Sequence, residues 1–466
     1  MSPAARPGRP RQTGPVSDRP ATDPAPPAVL SAGPRTYVLA ALLGVPVGAV
    51  AAVYLWLVRV LRELVWDGHE PRLAEWLPAT VAVLVTTTVG GLLVGIIRSR
   101  HDRSSPHDLD DILAEVDDVA AAEAAEAARA RGEAPSGEQE AGRPGAHRTA
   151  PMSVPWILRA TVLGIVSLTA GASLGPEAPL LVLATGFGQR IARLLRLSAS
   201  EGVAISSAGA LSGLFGGPLG AAVLGVESRA ATGRGIRLLG PGIVAGLTGF
   251  AAMLVVLPDG PGVRYTVPDD GATPLVALGW GFVAAVPAAL VTAVLLLAVA
   301  PSRRLAERVP PVPRATAGGV VLGLAALVQP LVLFSGEHEG QELIDGLGTW
   351  TVGALLVLVA LKVVVTATSL ATGYFGGQIF PGAFLGMAVG ALVVAVFPVA
   401  PAAAVAAGAG AGTTVLLRRP LASALILLFF FPVSAAVPLL LGAAVGAAVV
   451  SVLQDHLPAP TPVGGH

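Results

Sequence analysis

The sequence predicts an all-α membrane protein that crosses the bilayer several times. Its 466 residues are 53% hydrophobic and 13% charged, and the mean hydropathy is +0.71, which is far from the composition of a soluble domain. The apolar residues form runs long enough to span a hydrocarbon core about 30 Å thick. Two further observations are the Gly/Pro-rich breaks at 173–179 and 376–381, each next to an apolar run. We therefore expect membrane helices, two of which start inside the apolar region.

The apolar runs are expected to be helical because, in lipid, a helix satisfies its backbone hydrogen bonds within its own segment. Their Ala, Leu and Gly content agrees with this. The predicted helices lie at about 36–58, 78–97, 157–174, 178–195, 203–226, 236–257, 275–300, 315–335, 350–371, 380–398 and 421–453.

The polar segments divide the chain into two membrane halves. We expect a disordered cytoplasmic tail at 1–34, which is rich in Pro and Arg and has no apolar stretch typical of a signal peptide. The first repeat would cover 35–256, with a polar insert loop at 101–150. A connecting loop with repeated Pro and Gly, 257–273, would separate it from a second repeat at 274–453. A short tail, 454–466, would follow.

Charge and composition exclude several classes of function. The chain has no cysteine, its net charge is zero, and its seven histidines lie in polar connections or the tail. We therefore expect no disulfide, no metal site within the membrane, no cofactor and no nucleic-acid partner. The apolar segments offer no nucleophile and base pair, so an enzyme is not expected. Arginines flank the first two runs, which predicts a cytoplasmic N-terminus in a multi-pass plasma-membrane protein.

The two halves share landmarks at a constant spacing. The segments starting at Gly175 and Gly377 both have the form G-x-x-x-P, and a glycine follows each at the same distance. The pairs Pro218-Leu219 and Pro420-Leu421 have the same offset of 202 residues. Several landmarks in one register favour a repeated unit over coincidence. Gly/Pro breaks at matching places in two halves indicate a transport site built from broken helices.

The breaks predict a site for an anion. A helix that restarts just after Gly175 leaves its first amides, including those of Glu177 and Ala178, without partners in the helix. Such an end presents N–H groups and about half a positive charge to whatever lies in front of it. The second break would do the same with the amides of Gln378, Ile379 and Phe380. The candidate anion-binding residues are Gly175, Pro176, Glu177, Ala178, Gly377, Gln378, Ile379 and Phe380.

Glu177 is the one charged residue between Arg159 and Arg190. A carboxylate at membrane depth indicates a functional site. It would occupy the anion position itself and leave it when protonated, so it would act as a gate and a proton carrier. The alternative is a carboxylate that caps its own helix. By our sequence interpretation, only Glu227 otherwise comes close to the apolar interior.

These two segments resemble motifs of the CLC family of chloride channels and proton/chloride antiporters. Gly-Pro-Glu-Ala-Pro at 175–179 is similar to the family's G-x-E-G-P, and Gly-Gly-Gln-Ile-Phe-Pro at 376–381 is similar to G-x-F-x-P, with the phenylalanine one place late. Both also resemble a less-studied bacterial branch of putative ion-channel or ion-transport proteins. The resemblance implies two inverted-topology repeats with broken, re-entrant helices, a homodimer with one anion pathway per subunit, and Glu177 as the gating glutamate. The amides of Gln378 and Ile379 would coordinate the anion.

The chain departs from the family at three places. The family's anion-binding serine position holds Arg103, with Ser104 and Ser105 as nearby hydroxyls, and no tyrosine follows Tyr374. The internal proton-donating carboxylate falls on Ser228, one residue past Glu227. Glu227 is therefore either an intracellular proton relay or a structural carboxylate beside Arg229.

Lys362 is expected to snorkel or to pair near a helix end, and not to bind the substrate. The sequence as a whole favours a pathway for a small inorganic anion, chloride first, with protons and membrane lipid as further partners. A transporter for another, organic anion and a non-conducting membrane scaffold remain the alternatives.

Overall fold

The described part of the chain is almost wholly helical. The computed structural model describes residues 33–100, 153–197, 199–229, 234–258, 260, 262–268, 271–397 and 400–458. Arg103, Ser104, Ser105, the insert at 101–150 and nearly all of the predicted N-terminal tail lie outside the described residues, as do the side chains of Ser228 and Arg229.

The first half begins with a long helix and a small hairpin. The helix bounds are α1 (Pro34–Val65), α2 (Ala79–Ser99), α3 (Val154–Thr169), α4 (Glu177–Leu194), α5 (Ala199–Leu214), α6 (Pro218–Arg229) and α7 (Arg234–Val256). Strands β1 (Trp66–Asp67) and β2 (Glu70–Pro71) pair antiparallel, with Trp66 opposite Pro71, and a 3-10 turn follows at Arg72–Glu75.

The second half contains the remaining helices. They are α8 (Pro274–Ala306), α9 (Pro311–Val328), α10 (Glu339–Asp345), α11 (Val352–Thr372), α12 (Ile379–Val396), α13 (Pro401–Leu417), α14 (Pro420–Leu427) and α15 (Ala436–Leu453). Short 3-10 turns occur at Pro330–Val332 and Val433–Ala435. Within the described residues, eight helices are long and apolar enough to cross a membrane.

Two of the predicted runs are wrong in detail, and one helix is absent from the prediction. The run at 203–226 divides into α5 and α6, because Gly216 has a φ of +67° and Pro218 starts a new helix. The run at 421–453 divides into α14 and α15 around 428–435. Helix α13 was missed because its Ala/Gly composition gives a weak apolar signal, although it is almost entirely buried.

The two halves repeat the same helices at the spacing found in the sequence. Helices α4, α5 and α6 start at 177, 199 and 218, and α12, α13 and α14 start at 379, 401 and 420. Packing repeats as well, since α5 contacts α4 and α7 while α13 contacts α12 and α15. Each half therefore builds one unit, in which the helix after the break packs on its successor.

The close contact between α12 and α13 depends on small residues. A Cβ added at Gly386 would collide with the backbone of Gly408, and one added at Gly408 would collide with Gly386. Membrane helices are held by van der Waals packing, which small residues strengthen because they let the backbones approach. This explains why the second unit carries Gly and Ala where a soluble core would carry larger side chains.

Candidate functional site

The two breaks meet as a pair of extended backbone segments. The Gly175 N–H donates to the Gly377 carbonyl at 2.9 Å, and the Gly377 N–H donates to the Gly175 carbonyl at 2.7 Å. The pairing is antiparallel, as expected where two inverted repeats meet. It satisfies peptide groups that a continuous helix would have bonded internally, so irregular backbone is tolerated inside the protein.

Buried hydroxyl groups hold the two breaks in place. The Ser173 hydroxyl lies 2.8 Å from that of Thr366, and the Ser173 N–H donates to the Ser369 hydroxyl at 3.3 Å. The Phe375 N–H donates to the Ser167 hydroxyl at 3.0 Å. These bonds join residues about 200 positions apart, and they fix the geometry of the helix starts that follow.

Glu177 lies where the two helix starts face each other. It is 0% exposed, and its Oε1 accepts a hydrogen bond from the Phe380 N–H at 3.1 Å, across the junction between α4 and α12. Its Oε2 has no hydrogen-bond partner among the described residues. A Cβ added at Gly175 or Gly377 would collide with this oxygen, so the carboxylate needs a glycine on each side.

Several backbone amides face this carboxylate. Besides the Phe380 amide, the amides of Ile379 and of Glu177 itself interact with it. Both helices begin here, and each N-terminus contributes about half a positive charge. The structure thus brings together all the residues predicted for the anion site: Gly175, Pro176, Glu177, Ala178, Gly377, Gln378, Ile379 and Phe380.

Glu227 is separate from this site and binds the start of α14. Its two oxygens accept hydrogen bonds from the amides of Leu421 at 3.0 Å and Ala422 at 2.8 Å. Because the first amides of a helix have no partner within it, a carboxylate there satisfies two of them. Of the two predicted roles, this geometry favours the structural one. The partner of the carboxylate among the described residues is the start of α14, whereas the sequence suggested Arg229.

The substitution Glu227→Gln separates the two roles. We expect it to lower the stability of the protein by about 1 kcal/mol, as loss of a capping interaction does, and to leave the ratio of protons to anions unchanged. Thermal inactivation and paired flux measurements on the purified protein test this. Glu342→Gln, at a carboxylate whose side chain is 55% exposed, is the control. If anion flux continued while proton movement stopped, Glu227 would instead be the proton relay.

The structure contradicts one of the two expectations for Lys362, because the side chain does not snorkel to water: it is 0% exposed in the middle of α11. Its Nζ donates to the carbonyls of Val332 at 3.1 Å and Phe334 at 3.0 Å, at the end of the 3-10 turn Pro330–Val332. It also lies 4.7 Å from the centre of the Phe384 ring. Lys362 is the chain's single lysine, in a protein that otherwise uses arginine, and this was the sequence signal to notice.

Two further buried carboxylates escaped the sequence analysis. Glu339 is 0% exposed, and its oxygens accept hydrogen bonds from Arg62 at 2.7 Å and from the Gly336 N–H at 2.9 Å. Glu337 is 6% exposed. Glu337 lies just before α10 and Glu339 is the first residue of that helix; both belong to the polar stretch that connects α9 to α11, where a carboxylate is normally solvated. The structure buries them by folding that connection against α1 and α12, so the interpretation that only Glu227 accompanies Glu177 in the interior is wrong.

The fold and the site define a multi-pass membrane protein with a buried polar junction between two broken helices. A family model described as voltage gated chloride channel matches residues 119–451, more than half of the chain. The chain belongs to this family, which is the CLC family that its motifs resemble. Its similarity to known members therefore supports the fold, and it supports the function only at the level of anion transport.

The relatives and solved structures agree with this assignment. The chain is 31% identical over 267 residues to "Putative ion-transport protein YfeO" of Salmonella schwarzengrund; the match covers 54% of this chain and 62% of that relative. A slow cyanobacterial Cl−/H+ antiporter superimposes with a TM-score of 0.73 at 19% identity, covering 92% of this chain and 96% of the other. A CLC-type fluoride/proton antiporter gives a TM-score of 0.65 at 18% identity, covering 89% and 94%.

Proposed function

We propose that the protein moves a small inorganic anion, chloride first, through each subunit of a homodimer, with Glu177 as the gate. The observation that carries this proposal is the position of the Glu177 carboxylate between two glycines, facing two helix starts. A site that holds a carboxylate by backbone amides also suits a chloride ion, because the amides supply partial positive charge without trapping the ion on a Lys or Arg.

The gate would work by exchange between the carboxylate and the transported anion. When Glu177 is ionised, it fills the site and blocks the pathway. When it is protonated, its attraction to the helix ends falls, the side chain leaves, and an anion takes its place. A group that carries a proton out of the site each time it moves can couple proton movement to anion movement. We place this protein in the plasma membrane, with its N-terminus in the cytoplasm.

Reconstitution tests the proposal directly. Purified protein in liposomes should release chloride down an imposed gradient when valinomycin carries the compensating potassium charge. An external pH electrode records protons at the same time. Coupled movement of protons against their gradient identifies an antiporter, and chloride movement alone identifies a channel. Replacing chloride by fluoride, bromide or nitrate measures selectivity, which depends on distances in the pathway.

Other outcomes favour the alternative functions. Flux of an organic anion without flux of any inorganic anion would favour the alternative of a transporter for an organic anion. A folded, dimeric protein that carries none of these ions would favour the membrane scaffold and would contradict the proposal.

A further inference from the structure

A second buried carboxylate lies near the candidate site and has no part in the exchange described above. Glu337 lies in the connection between α9 and α10, and its Oε1 has no hydrogen-bond partner among the described residues. Its backbone is held firmly: its N–H donates to the Ser335 hydroxyl at 3.2 Å, and its carbonyl accepts from the Tyr265 hydroxyl at 2.9 Å. An unpaired buried carboxylate is costly, so this one requires an explanation.

Glu337 and Glu177 interact through space. Each has one buried oxygen without a hydrogen-bond partner among the described residues, and the two carboxylates affect each other electrostatically. Two acids in one dry region do not both ionise readily, because like charges repel strongly where water is excluded. One proton shared between the two positions relieves that repulsion.

A cavity reaches the protein surface on the side of Glu337. Its volume is about 570 Å³, and its lining includes Phe215, Gly262, Arg264 and Phe430. Gly262 and Arg264 are exposed. A Cβ added at Gly262 would lie 3.5 Å from Glu337 Oε1, so this oxygen lies directly behind the cavity wall.

The direct route from the cavity to Glu177 is aromatic. The Phe380 ring, whose backbone N–H binds Glu177, packs against two rings of the cavity wall: Phe430 at 5.3 Å and Phe215 at 6.2 Å between centroids. Aromatic carbon neither accepts nor releases a proton. Glu337 lies beside this wall and supplies the titratable group that the wall lacks.

Burial and the nearby charges keep a proton available on Glu337 near neutral pH. Burial, followed by the charges of Glu177 and Glu339, raises its pKa to about 8, although Arg62 and Arg59 act in the opposite direction. Its neighbour behaves differently: burial would raise the pKa of Glu339, but the charges of Arg62, His338 and Lys362 hold it below the usual range. The groups that face Glu337 are Arg59 and Arg62 from α1, Glu177 from α4, Glu339 from α10, and Tyr265 from the preceding connection.

We propose that Glu337 transfers protons between the cavity and Glu177. The role rests on the proposed function, because it supplies the proton that opens the gate. In the inward step, the O–H bond of Glu337 breaks and an O–H bond forms on Glu177. Glu337 is left as a carboxylate, which takes a proton from water in the cavity. The reverse sequence releases a proton from Glu177 to the same cavity.

The substitution Glu337→Gln tests the relay. The quantity to measure is anion flux into liposomes as a function of pH, set equal on both sides, because a channel and an antiporter both need a protonated Glu177 to open. We expect wild-type flux to rise as the pH falls, and Glu337→Gln to reduce the acid-stimulated flux by about a hundredfold or more, the scale of losses on removing a proton-transfer group. Proton movement, where coupled, should fall in parallel.

The double variant Glu177→Ala/Glu337→Gln distinguishes a relay from a structural role. A gate without a carboxylate needs no proton, so the double variant should conduct anions as fast as Glu177→Ala alone. If Glu337→Gln slowed flux in this background as well, or if it left the pH dependence of the otherwise wild-type protein intact, the relay would be overturned. Glu342→Gln is the matched control and should keep the wild-type pH dependence.

A second variant covers the case in which Glu337→Gln does not fold. Gly262→Ala keeps Glu337 ionisable but places a methyl group 3.5 Å from its Oε1 and 3.0 Å from the Phe430 ring at the cavity wall, and should also flatten the pH dependence. An unchanged pH profile in this variant would count against the relay. Failure of the proposed function is visible separately, in the wild type: absence of any anion flux rejects the transport proposal before a variant is compared. Wild-type flux without pH dependence rejects the relay alone.

Discussion

Replacing Glu177 by alanine is expected to abolish proton coupling and to leave an anion pathway that no longer responds to pH. The carboxylate is the group that fills the site between Gly175 and Gly377, and it is held there by the Phe380 amide. Without it, the helix starts still attract an anion, but nothing competes with that anion for the position. Paired chloride and pH electrodes on liposomes of the wild type and the variant measure both effects.

A matched substitution, Glu177→Gln, separates loss of charge from loss of volume. The amide has the shape of the protonated acid and cannot titrate, so it should also remove the pH dependence, although its bulk can slow the anion. Proton uptake that survived unaltered in Glu177→Ala would reject the assigned role. Loss of all anion flux in both variants, with the protein still folded, would mean that the carboxylate helps to build the pathway and does not gate it.

Lys362→Met is expected to destabilise the protein by about 3 kcal/mol or more, which is the scale observed when one partner of a buried charged network is removed. The ammonium group donates to the carbonyls of Val332 and Phe334, which would be left without this donor. It also contributes positive charge next to Glu339. Methionine fills a similar volume, so the effect would come from lost charge and hydrogen bonds and not from a cavity.

Thermal inactivation of the detergent-solubilised protein, followed by the fraction that remains in solution without aggregating after heating, gives the measurement. Membrane proteins often unfold irreversibly, so rates at one temperature are compared. Leu356→Met is the control, because this residue lies on the same helix and is 53% exposed. A Lys362→Met variant as stable as this control would show that the buried ammonium is dispensable to the fold.

The sequence alone determined the class of protein and the place of its candidate site. Apolar runs of membrane length leave helices as the plausible state, and a single carboxylate beside a Gly/Pro break identifies Glu177. The spacing of 202 residues located the second helix start and predicted which amides would face the first. This information is local or periodic, so it can be obtained without knowing which segments pack together.

The tertiary structure decided which polar residues leave water. Glu337 and Glu339 lie in a connection that is polar along the sequence, and only the folding of that connection against α1 and α12 buries them. Lys362 occupies the interior because carbonyls from a segment about thirty residues earlier accept hydrogen bonds from its Nζ. Glu227 has its partners on a helix 194 residues later. The physical reason is common to the three buried groups, Glu337, Glu339 and Lys362: the free energy of a buried charge depends on partners brought from distant parts of the chain, and local sequence carries no record of them.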